Sequence, residues 1–584
     1  MVSLRPFRRY FELLARYLRP QWLTTLLMVL LLLASIALQL INPRIPGYFI
    51  DTTVKQGLSQ MLIWAALLFL AISLLNQGLA VVSSYLCEKV AWTATNALRS
   101  DLLAHVLTLD QAFHKSHTQG ELLERIDGDV NDLSNFFSKF VVHMLFHLLL
   151  LLGMLAVLTT IDWILSVSMG LYCLLVIGAL TWMRRPTVDR WVVARQASSE
   201  FFGFLGESLG AAEDVRGNGG MNYIWRHFYQ RFYRWYSTTC HAGWSGATPW
   251  IISQALFTLG KVLGLVLAAY LWSVGIASPG TVYLIFVYSA LLMQPLDQIQ
   301  WQLQDLNQSE ACIRRIDGLF QTRSAIQDGP GTATLAPGAL AVSFEEVSFG
   351  YTKDEPVIQQ ISFQLAPGRV LGIIGRTGGG KTTLSRLLFR MYDPQCGRIC
   401  VNDVPLPELR LRDLRRRMSL ITQDIQLFQA SVRDNLTFFD RSISDERILA
   451  VLAEVGLQTW YEALPEKLET KLGAGDHGLS AGEAQLLAFA RVFLTQPDLV
   501  ILDEASSRLD SITEQYIEKA VDKLFKQRTG IVIAHRLATI QRADDILVIK
   551  DGRILEAGPR VELAADPTSH FARLLQHESG RIPV

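Results

Sequence analysis

Long apolar stretches dominate the first half of the chain, and six of them are long enough to cross a lipid bilayer. Each is close to the roughly 20 residues that a helix needs to span about 30 Å of hydrocarbon. The segments after the second and fourth stretches are long and charged, whereas the other connections are short. The pattern therefore predicts six membrane-spanning helices, at residues 22–41, 61–86, 140–160, 163–183, 250–272 and 281–299.

Arginines ahead of the first apolar stretch predict the orientation of the chain. The stretch has full spanning length and no small-residue cleavage site follows it, which argues against a secretory signal. Cations concentrate on the cytoplasmic side of membrane proteins. We therefore expect a multi-pass protein of the cell membrane with both termini in the cytoplasm. The arginines concerned are Arg5, Arg8, Arg9, Arg16 and Arg19.

The two charged segments carry apolar residues at helical spacing. Leu98, Leu102 and Val106 lie four positions apart, as on one face of a helix. A return helix begins in residues 120–126, and residues 201–236 repeat the out-and-back form. The membrane helices are thus predicted to continue into the cytoplasm.

From about residue 341 onward, short apolar runs alternate with helical stretches. Runs at 368–374 and 498–502 have the character of buried strands, and such alternation favours a parallel α/β domain. Residues 328–341, rich in Gly, Pro, Ala and Thr, have the composition of a linker. The predicted organisation is a membrane domain at 1–320, a linker at 321–340, an α/β domain at 341–577 and a tail at 578–584.

Composition and charge narrow the class of protein further. Half of the residues are hydrophobic and only 18% are charged, a bias that supports membrane spans. The formal net charge of zero gives no reason to expect a nucleic-acid partner. The six cysteines include no C-x-x-C pair, which argues against structural zinc and against a disulfide framework.

A glycine-rich segment in the α/β domain predicts a phosphate-binding loop. It has the form G-x-x-x-x-G-K-T, follows an apolar run and precedes a helical segment that opens at Thr383. Glycines let backbone N–H groups turn around a phosphate, and the helix directs its positive end at the same anion. In this pattern Lys381 reaches the β- and γ-phosphates and the Thr382 hydroxyl ligates Mg²⁺. The predicted ATP-binding residues here are Gly375, Arg376, Thr377, Gly378, Gly379, Gly380, Lys381, Thr382 and Thr383.

A second apolar run ends in two carboxylates, Asp503 and Glu504. A buried strand rarely ends in two acids without a function for them. Asp503 suits the binding of Mg²⁺, and Glu504 suits the polarisation of the water that attacks the γ-phosphate. Tyr351 precedes the phosphate loop and is predicted to stack on adenine.

With these motifs in this order, the chain resembles the ATP-binding cassette (ABC) superfamily along nearly its whole length. The landmarks are A-loop Tyr351, the Walker A loop, Q-loop Gln423, the signature at 479–483, Walker B, the D-loop at 507–510 and switch His535. Residues 98–107 and 118–126 resemble the first cytoplasmic loop of the exporter-type (type IV) membrane domain. The implied fold is an α-helical polytopic membrane domain followed by an α/β P-loop ATP-binding cassette.

The resemblance implies roles for individual residues. Gln423 joins Thr382 and Asp503 around Mg²⁺, Glu504 acts as general base or water orienter, and His535 bonds the γ-phosphate. The D-loop residue Asp510 is also expected at the nucleotide. Ser480 and Gly482 would contact the γ-phosphate of ATP bound to a second cassette, because family members dimerise head to tail. Coupling helices near 113–118 and 211–223 would transmit the movement.

The signature departs from the usual Leu-Ser-Gly-Gly-Gln at Ala481 and Glu483. Alanine adds a methyl group where the backbone approaches a phosphate, and glutamate adds a negative charge beside a triphosphate. In this family an altered signature beside intact ATP-side motifs often marks one half of a heterodimer. The D-loop residue Arg508, where a small residue is commoner, adds a second asymmetry. One cassette with six spans makes a half-transporter. We therefore favour a heterodimer of this chain with a second, different half-transporter, and a homodimer with two working ATP sites is the alternative.

The expected function is an ATP-hydrolysing exporter that moves an amphipathic drug, lipid or peptide across the membrane by alternating access. The alternatives are an importer with the exporter fold and an ATP-gated channel or regulatory membrane protein; intact Glu504 and His535 favour turnover over gating. Lys261 lies midway along the fifth span, about 16 Å from either end. We expect it to line the substrate path or to pair with a carboxylate, for which Asp297 in the sixth span is a candidate.

Overall fold

The computed structural model describes most of the chain, in two compact units. The described residues are 15–56, 60–135, 142–183, 185–331, 333–352, 355–376, 378–422, 425–472, 479–503, 511–533 and 540–578. One unit comprises Met1–Leu107 and Gln119–Thr322, and the other comprises Thr108–Thr118 and Arg323–Val584. The short segment Thr108–Thr118, which lies between two membrane-domain helices in sequence, therefore belongs to the second unit.

The first unit is helical in its described residues. Thirteen α-helices with the bounds given below precede the cassette in the described part of the chain. A 3₁₀ turn at Arg19–Gln21 and a π-helical turn at Glu124–Gly128 accompany them. The helices are α1 Trp22–Ile41, α2 Arg44–Gln56, α3 Gln60–Thr108, α4 Gln111–Ser116 (in the second unit), α5 Gln119–Leu123, α6 Asp129–Asn135, α7 His143–Thr159, α8 Trp163–Met183, α9 Arg185–Gly210, α10 Ala212–Gly217, α11 Met221–Ser273, α12 Pro279–Leu291 and α13 Met293–Gln321.

Five helical stretches among the described residues are long and apolar enough to cross a membrane. The remaining predicted span, 140–160, corresponds to the shorter apolar helix Met144–Thr159, and residues 140 and 141 lie outside the described part. The structure therefore confirms that the predicted membrane domain is built from apolar helices. The five stretches are Ala15–Lys55, Gln60–Thr108, Trp163–Trp182, Met221–Ser273 and Pro279–Ile299.

Helices α3 and α11 are far longer than a bilayer requires. They contain 49 and 53 residues, which at 1.5 Å per residue is about 70 to 80 Å. Because about 30 Å of each suffices to cross the hydrocarbon, the rest extends beyond the membrane, as the sequence pattern predicts. Short helices α4 and α10 lie in the two regions predicted to contain coupling helices.

An ion pair joins helices α6 and α13 of the membrane domain. Arg315 on α13 donates from Nε to Asp129 Oδ2 on α6 at 2.7 Å, and the Asp129 side chain is 4% exposed. A carboxylate buried to this extent is stable only with such a partner. Cys312 lies beside this pair, and burial raises the pKa of its thiol to about 12, so the thiol is neutral at physiological pH.

The second unit is an α/β domain with a mostly parallel six-stranded sheet, which confirms the predicted fold class. The strands are β1 Val342–Phe349, β2 Ile358–Leu365, β3 Val370–Gly375, β4 Cys396–Val401, β5 Val404–Pro405, β6 Met418–Ile421, β7 Ala430–Ser431, β8 Lys471–Leu472, β9 Leu499–Asp503, β10 Thr529–Ile533, β11 Asp545–Lys550 and β12 Arg553–Pro559. The order of the six-stranded sheet is β12-β11-β3-β10-β9-β6, and β12 alone pairs antiparallel to its neighbour. A four-stranded antiparallel sheet, β2-β1-β4-β5, and a two-stranded sheet, β7-β8, complete the strands of the described part.

Helices follow the strands on the sheet. Short 3₁₀ turns occur at Leu406–Glu408 and Lys467–Glu469. The helices are α14 Lys381–Leu388, α15 Leu411–Arg417, α16 Val432–Thr437, α17 Asp445–Glu454, α18 Gln458–Ala463, α19 Ala481–Thr495, α20 Ser511–Leu524, α21 Arg560–Ala565 and α22 His570–Glu578.

Two large apolar cores hold this unit together, one on either side of the parallel sheet. Leu502 and Val532 contribute to one core, whereas Ile501 and Ile531 contribute to the other. Successive side chains of a strand point to opposite faces, so a strand buried on both faces is apolar throughout. That is why the predicted strands of this domain are short continuous apolar runs.

Candidate nucleotide-binding site

Strand register brings the chemically important ends of the parallel strands to one edge. In the centre, β10 pairs Ile533 with Ile373 of β3 on one side and with Asp503 of β9 on the other. On the far side of β9, Ile421 of β6 pairs with Leu502. The carboxyl ends of an open parallel sheet form the crevice where ligands of α/β proteins bind. Asp503 therefore lies at the same edge as the glycine-rich loop.

The loop between β3 and α14 has the backbone that a phosphate cradle needs. Gly378 and Gly380 have φ of +82° and +96°, conformations that favour glycine. A Cβ atom on Gly380 would also lie 2.5 Å from Ile358 Cδ1. Helix α14 starts directly after Gly380, so its first N–H groups lie at the loop and favour an anion there. The helix begins two residues earlier than predicted because Lys381 and Thr382 form its first turn.

Lys381 lies inside this loop and is 5% exposed. Its Nζ donates to the carbonyl oxygens of Gly375 at 2.7 Å and Arg376 at 3.1 Å. Gly379 N donates to Arg376 O at 3.0 Å and closes the turn. The loop thus positions a buried cation within the curve of its own backbone.

Tyr351 contacts α14 through its hydroxyl. The hydroxyl lies 3.2 Å from Thr383 Oγ1 and accepts a hydrogen bond of 3.0 Å from Arg386 Nη1. The Tyr351 ring is perpendicular to Phe349 and Tyr392, with centroid distances of 5.2 and 5.3 Å. Burial raises the pKa of the Tyr392 hydroxyl, and the nearby Tyr351 adds to this effect. These contacts fix the predicted adenine platform next to the phosphate loop.

Sequence reasoning missed two residues at this site. Arg386 holds the Tyr351 hydroxyl, and Lys115 of α4 places Nζ 4.0 Å from the centroid of the Tyr351 ring. A register argument can place Arg386, since it lies one turn beyond Thr382 on the same helix. No local pattern indicates Lys115, which meets Tyr351 only through the tertiary fold.

Several predicted site residues lie outside the described residues: Thr377, Gln423, Glu504, Asp510 and His535. Arg376 is exposed in the loop, and Thr382 is exposed in the first turn of α14. Asp503 is half-buried at the end of β9. The roles assigned to all of these residues remain predictions.

The signature segment begins a different helix, α19. Ser480 Oγ accepts from Glu483 N at 3.2 Å, and Glu483 Oε2 accepts from Ser480 N at 2.7 Å. This reciprocal pair is a capping box, and Gly482 lies buried in the first turn. Among the described residues, no hydrogen bond joins Ser480 to the phosphate loop.

The residues at the sheet edge fit a nucleoside triphosphate. A glycine loop with positive φ, a buried lysine and a helix N-terminus form an anion site, and an aromatic ring lies beside it. A carboxylate and a hydroxyl, Asp503 and Thr382, are oxygen donors of the type that Mg²⁺ prefers. The chemistry of the donor set thus matches a metal–nucleotide ligand.

Comparison with known proteins agrees with this combination of fold and site. The family model "ABC transporter" matches residues 358–507, and the model "ABC transporter transmembrane region" matches residues 25–296. The ATP-dependent lipid A-core flippase of Chromobacterium violaceum is 30% identical over 97% of this chain and 96% of its own. An uncharacterised ABC transporter ATP-binding protein of Bacillus subtilis, YfiC, is 27% identical over 92% of this chain and 89% of its own.

A solved structure shows the same fold over the whole length. A bacterial Atm1-family ABC exporter with ATP bound superposes with a TM-score of 0.80 at 24% identity, covering 96% of this chain and 98% of that one. A helical membrane domain fused to a P-loop cassette defines an ATP-driven membrane transporter. The chain belongs to the ABC transporter family, as a half-transporter of the exporter type. It is a multi-pass membrane protein whose ATPase activity is coupled to transport, and its cassette is cytoplasmic, as in this family.

Proposed function

We propose that this half-transporter hydrolyses Mg-ATP in a dimer with a non-identical half-transporter and exports an amphipathic substrate by alternating access. One observation carries the catalytic part of the proposal: the strand register aligns the Asp503 end of β9 with the loop that holds Lys381. Lys381 and the loop amides bind the phosphates, and Tyr351 stacks on the base. Bound Mg²⁺ would neutralise phosphate charge, with Thr382, Gln423 and Asp503 as its ligands.

Glu504 orients and deprotonates the attacking water in this proposal, and His535 bonds the γ-phosphate. Ser480 and Gly482 serve the nucleotide on the other subunit, which agrees with the position of the signature on α19 rather than on the phosphate-loop helix. Sites of this kind work by positioning and electrostatics, so the contributing groups can come from two subunits. The experiment that tests the function is ATP-dependent transport into sealed vesicles, with the Glu504 variant as control.

The capping box supports the asymmetric dimer. The Glu483 carboxylate occupies the N-terminus of α19 and neutralises part of the positive helix end there. A γ-phosphate from another subunit would have to approach this carboxylate. The signature of this chain therefore suits a site that binds nucleotide and hydrolyses it slowly. The phosphate loop with Lys381 suits the other site of the dimer, the one that hydrolyses ATP.

Replacing Glu483 by glutamine tests the asymmetry. Glutamine keeps the capping box and removes the charge. We expect about fivefold tighter nucleotide binding at the site that this signature completes, since unit charges about 4 Å apart in water interact by about 1 kcal/mol. ATP turnover should stay within about twofold of the unaltered complex, because hydrolysis occurs at the other site. Calorimetry and phosphate release measure the two quantities.

A turnover increase of several-fold in Glu483→Gln would favour the homodimer with two working sites. Glu483→Ala serves as a stability control. Loss of its capping interaction should destabilise the cassette by about 1 kcal/mol, whereas the glutamine variant should unfold at an unchanged temperature.

A polar stripe on α11 supports a wet substrate path. Gln254, Thr258 and Lys261 are exposed and lie on one helix face, at spacings of four and three residues. Gly260 and Gly264 are buried. A lysine at this depth costs about 3 kcal/mol or more against lipid, so the exposed stripe faces a water-containing space in the assembled transporter.

The half-buried Asp297 on α13 contributes a second charge to this region. Among the described side chains, no ion pair joins it to Lys261. We infer that Lys261 is available to the acidic or polar group of an amphipathic cargo. The lipid A-core flippase among the relatives makes a lipid with a polar headgroup a fitting candidate.

Replacing Lys261 by methionine should weaken the cargo response. Hydrogen bonds to charged groups contribute about 1.5–3 kcal/mol, so we expect at least a tenfold higher cargo concentration for half-maximal stimulation of ATPase. ATP affinity and cargo-free hydrolysis should not change, because the cassette is intact. The exposed neighbour Val262, replaced by methionine, is the matched control. A cargo response in Lys261→Met equal to that of the control would remove Lys261 from the substrate path.

A further inference from the structure

Lys115 contacts the ring of Tyr351, the predicted platform for adenine. Its Nζ lies 4.0 Å from the ring centroid, within the distance at which a cation is attracted to an aromatic face. Lys115 belongs to α4, the short helix that connects α3 to the return helix, and α4 clusters with the cassette residues. Neither the phosphate-binding roles nor the family landmarks discussed above include this lysine.

The surroundings of the Tyr351 ring distinguish a core side from a solvent side. Phe349 and Tyr392 pack perpendicular to the ring, and they are only 5% and 8% exposed, so they mark its core side. Lys115 is exposed and therefore lies on the solvent side. A purine entering from solvent stacks on an aromatic face, and it would approach the ring from the solvent side, where Lys115 lies.

We propose that Lys115 and the adenine base compete for the solvent-facing side of Tyr351. ATP binding then releases Lys115, and Lys115 in turn lowers the affinity for ATP, because coupling between two ligands of one site is reciprocal. The inference rests on the proposed function, in which Tyr351 stacks on adenine. It makes α4 a helix whose contacts respond to the base rather than to the phosphates.

A second contact keeps α4 attached when Lys115 is released. Asp110 caps the helix through a hydrogen bond of 3.0 Å from Phe113 N to Oδ1. The other oxygen of the same carboxylate, Oδ2, accepts from Ala325 N at 2.6 Å, at the beginning of the segment that leads to β1. ATP would thus change the Lys115 contact of α4 and leave the Asp110 anchor in place, which allows the helix to turn about Asp110.

Equilibrium binding tests the competition. The full-length protein, with its partner subunit where assembly needs one, is titrated with ATP in EDTA so that hydrolysis does not intervene. Lys115→Met removes the charge and keeps the side-chain length. We expect it to bind ATP about two- to fivefold more tightly, the size of an exposed cation–π contact. Lys115→Arg should bind ATP with the affinity of the unaltered protein. Tripolyphosphate, which has no base, should bind the unaltered protein and both variants with equal affinity.

A double-mutant cycle identifies the ring as the mediator. In a Tyr351→Leu background, Lys115→Met should no longer change ATP affinity, since interaction energies vanish when the partner is absent. Unchanged or weaker ATP binding by Lys115→Met alone would overturn the competition. Failure of the unaltered protein to bind ATP would instead contradict the proposed function.

Chemical labelling provides a readout that is independent of affinity. The amine of Lys115 should react faster with an N-hydroxysuccinimide ester when ATP is present, as measured by mass spectrometry, and tripolyphosphate should have no such effect. Lys519 is the internal control, because its Nζ also lies over a tyrosine, 6.0 Å from the ring centroid of Tyr516, outside the nucleotide site. ATP-independent labelling of Lys115 would also overturn the inference.

Discussion

Replacing Lys381 by methionine should lower ATP hydrolysis by about 100-fold or more. In the proposed site the Lys381 ammonium is the cation that the glycine loop presents to the phosphates, and the residue is 5% exposed. In a site with little water, one donor aimed at developing negative charge accounts for about 100- to 1,000-fold in rate. Methionine retains the length and most of the volume of the side chain but supplies no donor.

The Lys381 variant also loses two hydrogen bonds, to Gly375 O and Arg376 O, so its folding must be measured separately. Thermal unfolding and titration with ATP should accompany phosphate release. Lys519→Met, an exposed change on α20, is the matched control and should hydrolyse ATP at the normal rate. Hydrolysis by Lys381→Met within a few-fold of this control would mean that another group supplies the positive charge.

The architecture could be predicted from the sequence because its causes are local in the chain. Apolar stretches of bilayer length indicate membrane helices regardless of what surrounds them. The apolar run before Asp503 indicates a strand buried on both faces. The phosphate loop follows from glycine spacing, since positive φ is confined mostly to glycine, and Gly378 and Gly380 have that conformation.

The contacts around Tyr351 could not be predicted, because they join segments that are distant in sequence. Lys115 is more than 200 residues from Tyr351 in the chain. The two residues meet only because the segment Thr108–Thr118 packs with the second unit. Composition alone divides the chain near residue 320 and gives no sign that an earlier segment packs with the cassette. The topology of the fold decides such contacts, and the spacing of apolar residues along the chain does not reveal that topology.

The sequence of the signature segment carries a structural signal as well as a functional one. Ser480 and Glu483 fit the S-x-x-E pattern of a capping box, and α19 begins with that arrangement. Considered only as a departure from glutamine, Glu483 is an added charge near a phosphate. Considered as a helix cap, it is also a structural residue, which is why the glutamine variant rather than the alanine variant isolates the effect of its charge.

Replacing Glu504 by glutamine should abolish turnover while ATP still binds. A positioned general base contributes about 100- to 10,000-fold to a rate, and glutamine keeps the size of the side chain without its basicity. The phosphate loop and Tyr351 are untouched, so ATP affinity should remain within a few-fold. Single-turnover hydrolysis and ATP titration on the same preparation measure both. Asp498→Asn changes an acid at the opposite end of the same strand region, where Asp498 pairs with Arg417, and it should retain hydrolysis.

Transport by the Glu504 variant separates a pump from a channel. In sealed vesicles an exporter loses uphill accumulation of cargo together with hydrolysis, because each transport cycle must be reset. A channel gated by ATP binding would still pass solute downhill in Glu504→Gln, since binding persists. We expect the first result. In the proposed asymmetric dimer, this one substitution should also remove nearly all hydrolysis by the complex, because the second site would contribute little. Substantial residual turnover would show that the second site is competent.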